Sequence, residues 1–277
     1  KRQVYRCKTL FQFASTPFSL SVIYRFWELA QRADIIHYHC PYPLADLLHL
    51  FLGMNKPSIV SYHSDIVKQK YLLTLYQPLQ RWFLSHVSYI VAASPNYIKS
   101  STVLSKFKDK VSMIPYGLDK SLYPRISLKK TNRWTEKFGS RFFLFLGVLR
   151  YYKGLHVLVE SALATNYPIV IAGAGPVEDR IKVQAAKLGL KNVHFIGLVS
   201  EEEKVLLLQL CYAVFLPSHL RSEAFGISLL EGAMYGKPLI SCEIGTGTTY
   251  VNIHEKTGIV VPPNDPKALR GAMDYLW

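Results

Sequence analysis

Two glutamates eight positions apart are the leading candidates for binding a ligand. Glu223 lies in a loop of small and polar residues, and Glu231 lies on the helix predicted to follow it. Phe225, Gly226 and Ile227 form the turn between them, where unpaired N–H groups can meet phosphate or sugar oxygens. One carboxylate could accept the hydroxyls of a sugar and the other those of a ribose. The alternative is a pair of structural carboxylates, one of them capping the helix.

Two cations lie in a second loop, which leads from a predicted strand into a helix. Arg150 and Lys153 are three positions apart, and Gly147 begins this loop. Cations beside a helix start can hold a diphosphate, although two solvated surface cations would give the same pattern. The chain contains no Asp-x-Asp pair. Arg150 and Lys153 could therefore supply the positive charge that many diphosphate-using enzymes take from a metal ion.

A glycine and a histidine each follow a further predicted strand and are candidates for the site. Gly173 begins a Gly-Ala-Gly-Pro run that allows close approach of the backbone, but the full dinucleotide-binding fingerprint is not completed. His63 follows a strand of the first half and is a candidate to face a ligand, with a purely structural histidine as the alternative. His37 and His39 share one face of a strand, yet no third ligand follows at a recognisable metal-site spacing. No metal is expected.

Alternating strands and helices must position these residues. In the second half, short apolar runs predict six buried strands, each followed by a helical pattern or a loop. The runs begin near residues 141, 168, 193, 213, 238 and 258. Ser200 and Glu203 have the spacing of a capping box at the start of one helix. This rhythm predicts an α/β fold with a parallel sheet covered on both faces, and ligands beyond the carboxyl ends of its strands.

The first half shows the same alternation of predicted strands and helices, but less regularly. Strands are predicted over residues 34–39, 57–63, 88–94 and 111–115, and a helix over 72–86 with an interruption at Pro78. The stretch from Tyr116 to Arg133 is rich in Gly, Pro, Lys and Ser and is interpreted as a connection. We therefore predict two Rossmann-like domains, an incomplete one over residues 1–124 and a second over residues 125–277.

Charge distinguishes the two halves. Residues 1–140 contain 20 Lys and Arg against 7 Asp and Glu, a net charge of +13, whereas residues 141–277 contain 13 against 12. Such an excess favours an anionic partner, with a basic protein lacking one as the alternative. Nucleic acid is not expected, because no aromatic and basic binding motif accompanies the charge. The four dispersed cysteines fit a reducing cytosol, and both chain ends are interpreted as truncated.

Taken together, these motifs resemble the retaining glycosyltransferases of family four. The resemblance rests on Glu223-AFGISLLE (the E-x7-E pattern), the Arg150-YYKG loop, Gly173-AGP and Tyr62-HSD. It covers about residues 30–270 and implies a GT-B fold of two Rossmann-like domains facing a central cleft. Two features depart from the family pattern. Val148 stands where an arginine often follows the strand-end glycine, and the usual N-terminal glycine-rich loop does not appear.

The resemblance also implies a role for each motif. Glu231 would bind the ribose hydroxyls, and Glu223 the donor sugar, with Phe225, Gly226 and Ile227 at the turn beside it. Lys153 and Arg150 would hold the diphosphate between the glycine turns at Gly147 and Gly173. His63 would reach the sugar from the other domain. No cofactor is implied beyond the nucleotide-sugar donor.

The amino-acid sequences of these motifs are most similar to those of bacterial mannosyltransferases of surface-polysaccharide assembly. It implies a GDP-mannose donor and a glycan or lipid-linked glycan acceptor, with a cytoplasmic enzyme that contacts the anionic inner face of the membrane. An apolar and basic stretch around Tyr71 to Phe83 is a candidate membrane-surface element, with a core helix as the alternative. A nucleotide-sugar epimerase, a phosphorylase or an inactive nucleotide-binding fragment remain alternative functions.

Overall fold

The chain folds as two compact units, Lys1–Pro115 and Tyr116–Trp277, in a computed structural model. The structure describes residues 3–13, 16–52, 56–66, 70–126, 132–139, 141–163 and 165–277. The sequence-based boundary lay after residue 124, whereas residues 116–124 group with the second unit. Residues 127–131 of the predicted connection lie outside the described residues.

The first unit is built on a four-stranded parallel sheet in the order β3-β4-β5-β6. Inward and outward residues alternate along β3 and β4, so one face of these strands is buried. A two-stranded antiparallel ribbon and a helix, neither of which was predicted, precede the sheet. The strands are β1 (Phe11–Phe13), β2 (Thr16–Phe18), β3 (Ile36–Cys40), β4 (Ser58–Tyr62), β5 (Tyr89–Ala92) and β6 (Val111–Met113). The helices are α1 (Leu20–Arg32), α2 (Pro43–Leu52), α3 (Lys70–His86) and α4 (Pro95–Ser100).

Helix α3 runs through Pro78 without a break, so the predicted interruption is wrong. Proline removes one helical hydrogen bond, but Phe83 and Leu84 on this helix are fully buried, and such packing outweighs local preference. The apolar residues of the helix differ in exposure along its length. Tyr71 is 92% exposed, whereas Phe83 belongs to the core.

The second unit is built on a six-stranded parallel sheet in the order β12-β11-β10-β7-β8-β9. Every residue of β7, β8, β10 and β11 is buried, as expected for strands covered on both faces. The strands are β7 (Phe143–Leu146), β8 (Ile169–Ala172), β9 (Val193–Gly197), β10 (Ala213–Leu216), β11 (Leu239–Cys242) and β12 (Gly258–Val261). The six predicted strands are confirmed, and with them the α/β class.

The helices of the second unit largely follow the predicted pattern. They are α5 (Asn132–Phe138), α6 (Leu155–Ser161), α7 (Glu178–Lys187), α8 (Glu201–Leu210), α9 (Ile227–Met234), α10 (Thr248–Val251) and α11 (Pro266–Leu276). The predicted capping box is present: Ser200 accepts from the Glu203 N–H, and the Glu203 carboxylate accepts from the Ser200 N–H. Within the described residues, no helix has the length and apolar character needed to cross a bilayer.

Candidate functional site

The site lies where the strand order of the second sheet reverses, between β7 and β10. Crevices at such points, beyond the carboxyl ends of the strands, are the usual ligand sites of open α/β sheets. Gly147 follows β7 and Gly173 follows β8, with φ angles of +144° and +137°. A Cβ on Gly173 would lie 2.0 Å from the Gly147 carbonyl oxygen. Only glycine at 173 lets the two turns lie against each other.

A cavity of about 420 Å³ occupies this crevice. Six of the residues selected from the sequence line it: Gly147, Lys153, Gly173, Glu223, Ile227 and Glu231. Leu146, Val148, Ala172, Ala174, Leu198, Val199, Lys204 and Ser228 complete the lining. The cavity therefore brings both glutamates of the E-x7-E pattern together with one of the two predicted diphosphate cations.

Lys153 and Glu223 form a buried ion pair at one part of the cavity. The Lys153 Nζ lies 2.6 Å from Glu223 Oε2, and the two side chains are 13% and 11% exposed. The Ser218 hydroxyl donates to the same oxygen at 3.3 Å. A ligand at this point meets an ammonium and a carboxylate that are already held in place.

The position of Lys153 depends on the glycine that follows it. Gly154 has a φ of +71°, and a Cβ there would lie 1.9 Å from the Pro217 carbonyl oxygen. This close approach presses the Tyr151–Lys153 turn against the end of β10, from which the Glu223 loop departs. The Lys-Gly pair of the sequence therefore joins two loops that are 70 residues apart.

Glu231 lies on the buried face of α9 and is 7% exposed. A buried carboxylate is costly without partners, and two are present. The Lys204 Nζ lies 2.9 Å from Glu231 Oε1, and the Tyr123 hydroxyl donates to the same oxygen at 3.1 Å. Sequence reasoning missed both partners. Lys204 follows three glutamates at the start of α8, where the sequence predicted only the capping box of Ser200 and Glu203.

Arg150 lies away from the cavity. Its side chain is exposed and lines a separate small cleft together with His156 and Arg180. Its predicted partner Lys153 enters the cavity instead, because the turn between the two residues points them to different surfaces. The diphosphate role predicted for Arg150 has no support from this arrangement.

The turn before α9 combines a buried ring with a glycine cap. Phe225 is 3% exposed and packs its ring against Tyr116 and Tyr250. Gly226 is the N-cap residue of α9, with a φ of +88°. The Phe225 side chain is thus part of the packing that fixes the turn, which leaves only backbone groups of Phe225 and Gly226 for the predicted ligand contacts.

His63 belongs to a stack of three histidines at the carboxyl edge of the first sheet. Its Nε2 is hydrogen-bonded to His39 Nδ1 at 2.7 Å, and the two rings are parallel within 2°. His37 stacks on His39 and shares a hydrogen bond with Ser61. Burial lowers the pKa of His63, and the neighbouring His39 and His37 lower it further. Burial lowers the pKa of His39 as well, so both His39 and His63 favour the neutral form.

Among the residues that the structure describes, no group of three or more His, Cys, Asp or Glu side chains has the arrangement of a metal site. His37, His39 and His63 accordingly contact one another and Ser61 through ring stacking and hydrogen bonds.

Family models cover nearly the whole chain. Residues 129–277 match the model described as Glycosyl transferases group 1. Residues 2–122 match the model described as Glycosyltransferase Family 4. These are the halves that carry the E-x7-E pattern and the Tyr62-HSD motif, respectively.

Two relatives are similar over nearly all of this chain. D-rhamnosyltransferase WbpZ of Pseudomonas aeruginosa is 59% identical over 274 residues, which cover 99% of this chain and 72% of that protein. O-antigen chain mannosyltransferase C of Escherichia coli is 51% identical over 276 residues, which cover 100% of this chain and 74% of that protein.

Solved structures share the fold at low sequence identity. HepE of Anabaena, crystallised in complex with UDP-glucose, superposes with a TM-score of 0.77 at 19% identity, covering 92% of this chain and 71% of that one. Sucrose-phosphate synthase of Thermosynechococcus elongatus also gives a TM-score of 0.77, at 18% identity, covering 98% and 73%. The predicted GT-B fold is confirmed. With the family models and the relatives in agreement, this chain belongs to the group 1, family four glycosyltransferases.

Proposed function

We propose that this enzyme transfers mannose from GDP-mannose to a hydroxyl of a polysaccharide or lipid-linked glycan in bacterial surface-polysaccharide assembly. One observation carries the proposal: a single cavity at the carboxyl edge of the second sheet gathers Lys153, Glu223 and Glu231. An ammonium for a diphosphate and two carboxylates for hydroxyl groups are the groups that a nucleotide-sugar donor requires.

Each charged group has a proposed task. Glu231 accepts hydrogen bonds from the ribose hydroxyls, and Glu223 accepts them from hydroxyls of the sugar. Lys153 stabilises the negative charge that develops on the diphosphate as it departs. Because Lys153 already pairs with Glu223 at 2.6 Å, donor binding must divide its ammonium between the carboxylate and the phosphate oxygens.

The proposed reaction retains the configuration at the anomeric carbon. The bond from that carbon to the diphosphate oxygen breaks, and a bond to the acceptor oxygen forms on the same face of the sugar. The departing phosphate oxygen takes the proton of the acceptor hydroxyl, so that the products are a nucleoside diphosphate and the glycoside. His63 is proposed to contact the donor sugar.

The choice of mannose rests on the relatives and on the amino-acid sequences of the motifs. The Escherichia coli relative is an O-antigen chain mannosyltransferase, at 51% identity over the whole of this chain. The Pseudomonas aeruginosa relative is named as a D-rhamnosyltransferase. D-rhamnose is mannose without the hydroxyl at carbon 6. D-rhamnosyl transfer is therefore the second candidate, favoured by the 59% identity of that relative.

The proposed acceptor and location follow from charge. The net charge of +13 over residues 1–140 suits a glycan carried by a lipid at an anionic membrane surface. We propose that the enzyme works in the cytoplasm, at the inner face of the membrane, and needs no cofactor beyond its donor.

Calorimetric titration with GDP, UDP and ADP tests the donor site. GDP is expected to bind to the 277-residue chain and to bind much more weakly to Glu231→Ala. Binding of UDP or ADP alone would overturn the choice of guanine. Failure of all three to bind a folded protein would overturn the donor site.

A transfer assay then separates the two sugars. The enzyme is incubated with a lipid-linked glycan acceptor and with either GDP-mannose or GDP-D-rhamnose. The mass and amount of the extended product are then measured by mass spectrometry. Faster extension with GDP-mannose is expected. Preference for GDP-D-rhamnose would establish the second candidate, and release of an altered free sugar without acceptor would identify an epimerase instead.

A further inference from the structure

The Glu231 carboxylate is held through only one of its two oxygens. Tyr123 donates to Oε1 at 3.1 Å, and the Lys204 ammonium lies 2.9 Å from the same oxygen. No donor to Oε2 is found among the described residues, and Glu231 lines the cavity. Oε2 is thus the oxygen left for a ligand.

The two holding groups also contact each other. The Lys204 Nζ lies 5.1 Å from the centre of the Tyr123 ring, within cation–π distance. It also pairs with Glu201 Oε2 at 2.7 Å. The side chains of Lys204 and Glu231 are 20% and 10% exposed, so these contacts are partly shielded from water. Lys204 therefore contacts Tyr123, Glu201 and Glu231 at once, which restricts its ammonium.

Both donors keep their protons at neutral pH. Burial, and then the nearby Glu231 carboxylate, raise the pKa of Tyr123 to about 12, so its hydroxyl remains a donor. Burial lowers the pKa of Lys204, but the Glu201 and Glu231 carboxylates outweigh it and leave the pKa raised. Glu231 Oε1 therefore faces one neutral and one charged donor throughout the working range of pH.

We propose that Tyr123 and Lys204 are positioning residues of the donor site, which hold Glu231 by Oε1 so that Oε2 accepts the ribose hydroxyls. The inference rests on the proposed function, in which Glu231 binds the ribose. A carboxylate fixed before the ligand arrives loses less conformational entropy on binding, which strengthens each hydrogen bond to the ribose. Lys204 and Tyr123 act through Glu231 and need not touch the donor.

A purely structural role makes a different prediction. If Tyr123 and Lys204 only compensate a buried charge, their loss would weaken the fold and the binding of any nucleotide alike. If they position Glu231, their loss would weaken only that part of the binding which depends on the ribose hydroxyls. A nucleotide without those hydroxyls separates the two cases.

The test compares one nucleoside diphosphate with its 2′,3′-dideoxy analogue. The better ligand among GDP, UDP and ADP is titrated calorimetrically, with its analogue, into the wild type, Tyr123→Phe, Lys204→Met and Glu231→Ala. Tyr123→Phe is expected to weaken the ribonucleotide about 5-fold and Lys204→Met about 10-fold, which correspond to one neutral and one charged hydrogen bond. Affinity for the analogue stays at the wild-type value in both variants.

Matched controls lie elsewhere in the second unit. Tyr275→Phe changes a tyrosine that is 72% exposed, and Lys182→Met removes a lysine that pairs with Glu178 on the surface of α7. Both should bind the two ligands as the wild type does. Lys204→Arg keeps the positive charge, so it is expected to fold and to lose less affinity for the ribonucleotide than Lys204→Met.

Three results would overturn the inference. Equal weakening of both ligands in folded Tyr123→Phe and Lys204→Met variants would assign these residues a general structural role. Unchanged discrimination in those variants, with discrimination lost in Glu231→Ala, would remove the inference and leave the proposed function standing. Unchanged discrimination in Glu231→Ala would overturn the proposed ribose contact and the inference together. Should Lys204→Met not fold, Lys204→Arg and Tyr123→Phe decide between these results.

Discussion

At the scale of single residues, the Lys153–Glu223 ion pair links stability to donor binding. Lys153→Met would leave Glu223 charged and largely buried, with the Ser218 hydroxyl as its remaining donor. We expect the free energy of unfolding of the second unit to fall by about 3 kcal/mol, the lower end of the range for broken buried pairs. The double variant Lys153→Met/Glu223→Gln should recover most of this loss without recovering nucleotide binding. Urea denaturation measures the first quantity and calorimetry the second, and equal destabilisation in both variants would contradict the argument.

A buried carboxylate in the first unit gives a prediction about pH. Asp46 on α2 is fully buried and accepts hydrogen bonds from the Tyr76 hydroxyl and the Cys40 thiol. Burial raises its pKa from 3.8 to about 7, although the two hydrogen bonds oppose the shift. The folded state therefore keeps a proton that the unfolded chain releases near pH 4. Its contribution to stability is complete below that pH and is lost as the pH rises through 7.

The variant Asp46→Asn isolates this contribution. Between about pH 4 and pH 7 the wild type should lose of the order of 4 kcal/mol relative to Asp46→Asn, which cannot titrate. Urea denaturation of both proteins across this range, followed by circular dichroism, measures the difference. A difference that does not change with pH would show that Asp46 is ionised in the folded protein.

At the scale of elements, two glycines of similar backbone conformation should respond differently to the same change. Gly154 and Gly189 have φ angles of +71° and +65°, but only Gly154 has backbone within reach of an added Cβ. Gly189→Ala is expected to cost about 1 kcal/mol of stability and to leave nucleotide binding intact. Gly154→Ala should cost more and should also weaken nucleotide binding, because the displaced turn carries Lys153 away from Glu223. Thermal denaturation and GDP titration of both variants test this, and equal binding would contradict it.

The elements also show how far the sequence could lead. All six strands of the second sheet were predictable, because they are short apolar runs, and all but β11 end in or are followed by glycine or proline. The ribbon β1–β2 and α1 carry no comparably regular pattern. Pro78 misled the prediction of α3, since a local preference was outweighed by burial of Phe83 and Leu84. Contacts between distant segments decide such cases, and a single sequence does not contain them.

The candidate site shows the same limit. Residues next to strand ends were recognised because the parallel sheet brings strand ends together, and six of them line one cavity. Tyr123 was missed because it is 108 residues from Glu231 and lies in a stretch interpreted as a connection. Arg150 and Lys153 look equivalent in the sequence, and only the direction of the turn between them distinguishes the two.

At the scale of the whole molecule, the proposed membrane contact predicts that lysines of the first unit contribute more to membrane binding than lysines of the second. Lys106 and Lys108 are exposed on the first unit, and Lys187 and Lys191 on the second. Changing either pair to glutamate alters the net charge by the same amount. Only the first pair is expected to reduce binding to phosphatidylglycerol vesicles, since the excess positive charge belongs to residues 1–140.

Vesicle cosedimentation measures this binding. Wild-type binding should also decline as salt rises from about 50 to 300 mM, because the screening length shortens from above 10 Å to below 8 Å. Neutral phosphatidylcholine vesicles serve as the control surface. Equal loss from both lysine pairs would mean that only total charge matters.

The strand order of the second sheet has a consequence for folding of the nascent chain. β7 pairs with β8 on one side and with β10 on the other, and Phe143 lies beside Ala213 across the second pairing. Of the strands of the second sheet, the ribosome releases β7, β8 and β9 first, and this half-sheet holds both glycine turns with Lys153 but neither glutamate. Until Glu231 has emerged and α9 has packed, the proposed nucleotide site is incomplete. We therefore predict that a nucleotide bound at the proposed site does not assist the early steps of folding and stabilises only a chain whose two half-sheets have already joined at β7 and β10.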